Sequence, residues 1–450
     1  VELVAFPGQA QDRPGEAGAV SAEQPRAAHD RVAIRLRDPA PARPFGIDRK
    51  ENPVSLMFPA LFEPYTINGM KVSNRLVRSA TVENMGDGQG VATDRYAELM
   101  AGLARGGVGL IVTGMVPVSP LSLPTPTHTV IYDDSAVPAL KKAVDAVHAT
   151  GDTKIVCQIV HTGRQTMAAL IGETPIAPSP VHEPTLFNVT PREMTSADID
   201  GVLGQFARAA SNVRAAGFDG VQLHGAHGYL IHEFLSPWTN RRKDDWGGET
   251  PEERMRFLEA VYAACRAEVG GDFPLMIKLN AEDFFEGGLD FEQTKVIVKR
   301  LADLGIDAVE VSGGFYESGW LTLRGAIPLP LYAQDADTLA AMKGFLVPAQ
   351  RQATSAEGYH LDYVEALRPF AGDAALMCVG GWKTPLLMEA AVAEGKTDFI
   401  SLSRPLIRNP EFPNQIKAGA SVPSDCSSCN RCFMNVAMAQ PVACYYEEGT

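Results

Sequence analysis

The stretch VQLHGAHGYLIHEF, Val221–Phe234, sets His224 and His227 three residues apart, with Gly225 and Gly228 beside them and Tyr229 directly after. Flanking glycines let the chain turn so that both imidazoles aim into one space. Two N–H donors so placed can stabilise negative charge growing on a carbonyl oxygen. The Tyr229 phenol, protonated at neutral pH, can supply a proton. Hydride addition to a conjugated carbonyl needs these parts. A zinc site on the same histidines needs a third ligand. His232 is nearest, but it belongs to the following LIHEF segment and is expected to face elsewhere. Two inert core rings at this strand end would each need a buried partner.

Lys278 ends the apolar run PLMIKL, and a buried lysine demands an anionic neighbour or a shifted pKa. A Schiff-base lysine of a lyase barrel is one reading. An anionic flavin ring beside it is the simpler one, with Gln158 serving the pyrimidine edge; a buried amide bonded to backbone is the plain alternative for Gln158. VGGWKTP and LSRPLIRNP contribute Gly380, Gly381, Ser403 and Arg404: backbone N–H groups, a hydroxyl and a fixed cation, a set suited to phosphate. Gly380-Gly381 taken alone is an ordinary strand-to-helix turn.

A second group lies near the end of the sequence. SDCSSCNRCF with Cys444 spells C-x2-C-x2-C-x11-C, formed by Cys426, Cys429, Cys432 and Cys444. Four thiolates at this spacing suit a 4Fe-4S cluster, or less well zinc. Reduced free thiols in an empty loop are the alternative. Cys157, Cys265 and Cys378 fall inside apolar patterns and read as buried thiols.

These residues need elements to hold them. Eight apolar runs rise to polar or glycine-rich ends: RLVRSA, VGLIVTG, KIVCQIVH, DGVQLHG, PLMIKLN, DAVEVSGG, ALMCVGG and DFISLS. Amphipathic stretches intervene, among them Pro251 to Val269, Phe291 to Leu304 and Pro385 to Ala393. Strands alternating with helices imply a parallel sheet, because each return needs a crossover. Eight repeats predict an α/β fold, a (β/α)8 TIM barrel, over an open doubly wound sheet, whose G-x-G-x-x-G turn is missing after the first strand. In such a barrel the chemistry sits at C-terminal strand ends, which adds Ser79, Ala80, Thr81, Gly114 and His161 to the candidates. Asn68-Gly69 predicts a tight hairpin ahead of the barrel. Excursions from Ala177 to Arg192 and from Phe315 to His360, the latter with Trp320, Tyr332 and Tyr359, should overhang the active face.

The domain reading is a disordered arm at 1–56 with seven prolines, a (β/α)8 barrel at 57–420 and a cysteine-containing segment at 421–450. The chain has 450 residues, 45% of them hydrophobic, enough for a large core. A net charge of -14 without a basic run argues against nucleic acid, and no window reads as a membrane span. A cytoplasmic enzyme with a small-molecule substrate is expected; self-association into a homo-oligomer is left open.

Taken together, SNRLVRSAT, GGVGLIVTG, QIVHTGR, HGAHGYLIHEFLSPWTNRRKDDWGG, IKLN and SLSRPLIRNP resemble the old yellow enzyme family of FMN-dependent ene-reductase barrels, and particularly its branch near 2,4-dienoyl-CoA reductase and trimethylamine dehydrogenase. The resemblance runs from about Leu61 to the C-terminus. It implies FMN with Ser79, Ala80, Thr81 and Gly114 along its ring, Gln158 and Lys278 at its pyrimidine side, and Gly380, Gly381, Ser403 and Arg404 near its phosphate. It implies His224 and His227 on the substrate oxygen, Tyr229 as proton donor, and NAD(P)H recharging the flavin in a separate half-reaction. Lys278 stands where many members have arginine, and Val82 where a threonine or cysteine commonly tunes the flavin. The cysteine spacing is similar to the cluster motif of the dehydrogenase relatives, which makes amine or alcohol oxidation the sibling reading. With no dinucleotide-binding segment after the barrel, NAD(P)H is expected to visit the flavin face directly. Outside this family, the same residues leave a Schiff-base lyase on Lys278 or a zinc hydrolase on the histidine pair.

Overall fold

A computed structural model describes residues 57–185, 187–318, 324–326, 328 and 356–446. The 1–56 arm, Trp320 and Tyr332 lie outside these described residues.

All eight expected strands form, and each pairs in parallel with the next. Barrel strands one to eight are Leu76–Arg78, Leu110–Val112, Lys154–Val160, Gly220–Gly225, Leu275–Asn280, Ala308–Ser312, Ala375–Val379 and Phe399–Leu402. Strand eight pairs back onto strand one, which closes the (β/α)8 barrel. Closure removes sheet edges, and the helices between strands cover its outside.

Side chains alternate by the strand period of two. Ile277 and Leu279 of strand five and Val309 and Val311 of strand six point outward into the core shared with the helices. Val77, Leu110, Val156, Met276, Ala308, Met377 and Phe399 fill the barrel interior. The hairpin Tyr65–Ile67 and Met70–Val72 stoppers its N-terminal end through Ile67, Met70 and Val72. Its turn is the expected Asn68-Gly69, both at positive φ of 41° and 78°.

The predicted helices Phe291–Leu304 and Pro385–Ala393 form as read; the third divides into Pro251–Arg254 and Arg256–Val269. Cys157, Cys265 and Cys378 are buried as expected. Among the described residues no helix is long and apolar enough to cross a membrane. Strand register sets the site: Gln158 stands beside Gln222, His224 beside Lys278, and Lys278 beside Glu310.

Candidate active site

Strand four leaves the barrel at Gly225, and the turn after it needs left-handed backbone: φ is 61° at His227 and 82° at Gly228. A side chain on Gly228 would strike Gln165 and the Phe315 ring, so close packing also demands glycine there. His227 donates its backbone N–H to Asn280 Oδ1 at 3.2 Å, and its carbonyl accepts from Gln165 Nε2 at 3.0 Å. The turn brings the His224 and His227 rings to 5.3 Å between centroids, nearly perpendicular, with Tyr229 4.7 Å from His224.

Hydrogen bonds and burial set the protonation of this pair. His224 Nδ1 accepts from the Ala226 N–H at 3.4 Å, which places the ring proton on Nε2. His227 Nε2 lies 2.7 Å from Ser312 Oγ; with the hydroxyl donating, the ring proton stands on Nδ1. Burial first, then neighbouring His227, Lys278 and His232, hold His224 well below the usual histidine range. Burial, Lys278, His232 and His360 do the same to His227. Each ring is therefore neutral with one N–H: that of His224 on Nε2 has no partner among the described residues, and that of His227 has none when the Ser312 hydroxyl donates. His232 faces elsewhere, as expected: it is fully buried, its Nδ1 accepts from Gly228 at 2.9 Å, and its Nε2 meets Asp283 Oδ1 at 3.0 Å.

Tyr229 is joined by a residue that sequence reasoning missed. It packs against Tyr316, in the loop after strand six, and burial above all, with Tyr316 beside it, pushes the Tyr229 phenol well above its ordinary value. Tyr316 packs with Val82, Met115, Val160 and Tyr229 in an apolar patch separate from the main core. Phe187 of the first excursion meets Tyr316 edge-on at 5.8 Å, so that excursion does reach over this face. Glu317, next to Tyr316, is clamped by the fully buried Arg164.

Beneath the histidines runs a buried polar tier. Gln158 Nε2 donates to Gln222 Oε1 at 2.7 Å, and Gln222 Nε2 donates to Glu310 Oε2 at 3.0 Å. Ser79 Oγ donates to Glu310 Oε1 at 2.7 Å, and Lys278 Nζ donates to Ser79 at 3.0 Å and stands 3.2 Å from Glu310. This corrects the expectation that a flavin would supply the negative charge beside Lys278: a protein carboxylate already does. It also turns the Ser79 side chain into the barrel wall. Glu310 escaped notice because an acid inside DAVEVS has no local signal; only the neighbouring strand makes it a partner.

The remaining candidates gather at strands one, two, seven and eight. Thr81 and Ser403 share a hydrogen bond of 2.9 Å, and Ala80 packs at the top of the barrel interior. Gly114 donates to Glu83 Oε1 at 2.8 Å, and any side chain there would strike Glu83 and the Thr81 carbonyl. Glu83 pairs with buried Arg78 at 2.8 Å. The Gly380 carbonyl accepts from Gly358, and a side chain on Gly381, at φ 73°, would press on the Tyr359 ring. Arg404 donates through one nitrogen to the Arg324 carbonyl and to Asn430 Oδ1, at 2.8 and 2.7 Å. Arg324, a second cation not foreseen, lies 4.1 Å over Tyr359.

Two further nitrogens at this mouth are buried without a partner among the described residues, His161 Nε2 and His360 Nε2. His360 donates Nδ1–H to the Val379 carbonyl at 2.8 Å, so its Nε2 is a bare acceptor. An apolar patch, an amide and ammonium inside the mouth, unpartnered nitrogens, and glycines with a guanidinium at strands seven and eight fit a ligand with an apolar ring, a pyrimidine edge, a polyol and a phosphate. FMN has those parts.

The C-terminal segment packs against these loops. Val442 donates to the Glu83 carbonyl at 2.9 Å, and Asn84 Nδ2 to the Val436 carbonyl at 2.7 Å. Cys426, Cys429, Cys432 and Cys444 line one small cavity together with Arg404 and Arg408. Among the described residues no three His, Cys, Asp or Glu side chains are grouped to hold a single metal ion.

Fold and site fit the barrel of a flavin-dependent oxidoreductase. Residues 60–317, more than half of the chain, match the NADH:flavin oxidoreductase / NADH oxidase family, and the chain belongs to it. It is 34% identical over 399 residues to an NADH oxidase of Thermoanaerobacter brockii, a match covering 86% of this chain and 56% of that protein. In structure it is similar to a 2-naphthoyl-CoA reductase complex, with a TM-score of 0.75 and 29% identity over 86% of this chain and 57% of the other. It is also similar to an old yellow enzyme homologue from Zymomonas mobilis, with a TM-score of 0.64 and 26% identity over 82% of this chain and 96% of that one. The chain thus spans little more than half the length of the first two. Membership in this family sets the lyase and hydrolase readings aside.

Proposed function

We propose that this protein reduces the activated C=C bond of an α,β-unsaturated carbonyl compound at the expense of NAD(P)H, by a ping-pong cycle in the cytoplasm. The single observation carrying the reading is the convergence of the His224 and His227 rings, 5.3 Å between centroids, with the Tyr229 ring centroid 4.7 Å from that of His224.

When bound, FMN would supply the redox chemistry, carrying hydride between a nicotinamide and the substrate β-carbon. Gln158 and Lys278 would hold its pyrimidine edge, Ser79 would steady Lys278, and Ala80, Thr81, Gly114 and Val82 would border the ring. Gly380, Gly381, Ser403 and Arg404 would hold the phosphate. The chain's own chemistry is electrostatic and protonic. His224 Nε2–H and His227 Nδ1–H bind the substrate carbonyl oxygen and stabilise the charge that grows on it, without either ring losing a proton. Tyr229 gives its proton to the α-carbon, and Tyr316, packed against it, holds the phenol in place. Turnover with a cyclic enone under anaerobic conditions tests the reading: consumption of NAD(P)H matched by saturated ketone is expected. Oxidation of NAD(P)H without enone reduction would refute it.

A second reading, oxidation of an amine or alcohol with electrons leaving through a cluster, is favoured by the cysteine cavity. The four cysteines line one cavity, and their C-x2-C-x2-C-x11-C spacing suits a 4Fe-4S cluster better than one zinc ion. Arg404 would then be shared between cluster wall and phosphate.

A further inference from the structure

Glu310 is fully buried, and both of its oxygens are used: Oε1 by Ser79, Oε2 by Gln222 and Lys278. A carboxylate can only accept. Gln222 must therefore turn its NH2 towards Glu310 and its carbonyl towards Gln158. Gln158 in turn must offer its own NH2 to Gln222, at 2.7 Å. One charge thus directs two amides across three strands, and it leaves the Gln158 carbonyl oxygen without a partner among the described residues. Burial by itself would lift the Glu310 carboxyl, but Lys278 and the hydrogen bonds from Ser79 and Gln222 outweigh it and keep the group ionised. The other titratable rings acting on this tier, His224, His227 and His360, are held neutral by burial.

We infer that Glu310 is the positioning residue for the flavin's pyrimidine edge: it cancels much of the Lys278 charge and fixes the Gln222–Gln158 chain so that Gln158 presents an acceptor. The inference rests on the assignment of Lys278 and Gln158 to that edge. An isoalloxazine pyrimidine alternates carbonyl acceptors with an imide N–H donor, so a lysine donor and an oriented amide acceptor are complementary to it. Positive charge beside this edge favours electron gain by the ring. In a dry site a carboxylate 3.2 Å away offsets that charge strongly. Glu310 therefore sets the electron affinity of a cofactor it does not touch.

Sulfite tests this, because it adds to oxidised flavin more tightly the more positive the surroundings of the ring, and the addition bleaches the visible absorbance. In the FMN-loaded full chain at mildly acidic pH, Glu310→Gln is expected to tighten sulfite binding about tenfold, the equivalent of one pKa unit. The same change in a Lys278→Met background is expected to alter it less than about twofold, since the charge that Glu310 compensates is gone. No tightening in the first, or equal tightening in both, overturns the inference. Should Glu310→Gln not fold, Glu310→Asp, which withdraws the carboxylate by one methylene, is read the same way with and without Lys278→Met. Failure of the native apoprotein to take up FMN in a fluorescence titration would overturn the flavin-edge assignment as well. Normal FMN uptake with no Lys278-dependent shift overturns only the role of Glu310.

Discussion

His227 Nε2 lies 2.7 Å from Ser312 Oγ, joining the ends of barrel strands four and six. When the serine hydroxyl donates, the neutral imidazole carries its own proton on Nδ1, free to meet a substrate oxygen. Ser312→Ala is expected to weaken binding of phenols, which mimic an enolate, by about tenfold, the worth of one hydrogen bond. His224→Ala should weaken it at least as much, with flavin retained. Spectral titration of the flavin band with a substituted phenol measures both, and unchanged affinity would remove the pair from the oxygen-binding role.

Tyr229 keeps its proton because burial and the Tyr316 hydroxyl favour the neutral phenol. Tyr229→Phe is expected to slow the oxidative half-reaction with enone by about a hundredfold, the usual scale for losing a general acid. Flavin reduction by NAD(P)H should stay near the native rate. Rapid mixing separates the halves; equal slowing of both would count against proton donation.

Glu233 Oε1 accepts from the Arg164 backbone at 2.9 Å, inside a fully buried setting. Burial, aided by Glu317 and Glu183 and opposed by Arg164, pushes its carboxyl up to about 8. The folded value exceeds the unfolded one, so the protonated form favours the fold. That contribution is complete below the ordinary glutamate range and is lost as pH rises through about 8. Glu233→Gln should flatten the decline in stability over this window by up to about 1.4 kcal/mol per pH unit. Thermal melts across it check this; parallel curves for native and variant would refute the assignment.

Cys429 and its three companions share a cavity with Arg404. If a cluster occupies it, Cys429→Ser will cut iron and acid-labile sulfide in anaerobically prepared protein to near background while FMN content stays within about twofold. Native protein free of both iron and sulfide after reconstitution would leave the four residues as thiols.

Much of the site was legible because its residues announce themselves in one dimension. His224, His227 and Tyr229 lie within six residues of one another, and Gly380-Gly381 and Ser403-Arg404 are adjacent pairs at strand ends. The partners were not legible. Glu310 lies 32 residues beyond Lys278, yet it stands beside it in register. Tyr316 lies in the excursion after strand six and packs against Tyr229 only after closure of the barrel. Arg324 and Asn430 reach Arg404 from 80 and 26 residues away.

Strand period, glycine position and apolar runs are local properties, and they determined the eight strands, the Asn68-Gly69 hairpin and which side chains could do chemistry. Only the tertiary structure decided their charges and directions. A buried group's protonation and hydrogen-bond sense depend on what lies within a few ångström of it, and in a closed barrel those neighbours come from other strands. Lys278 was visible as a buried cation from its own strand; Glu310, which balances it, became its partner only when strands five and six paired.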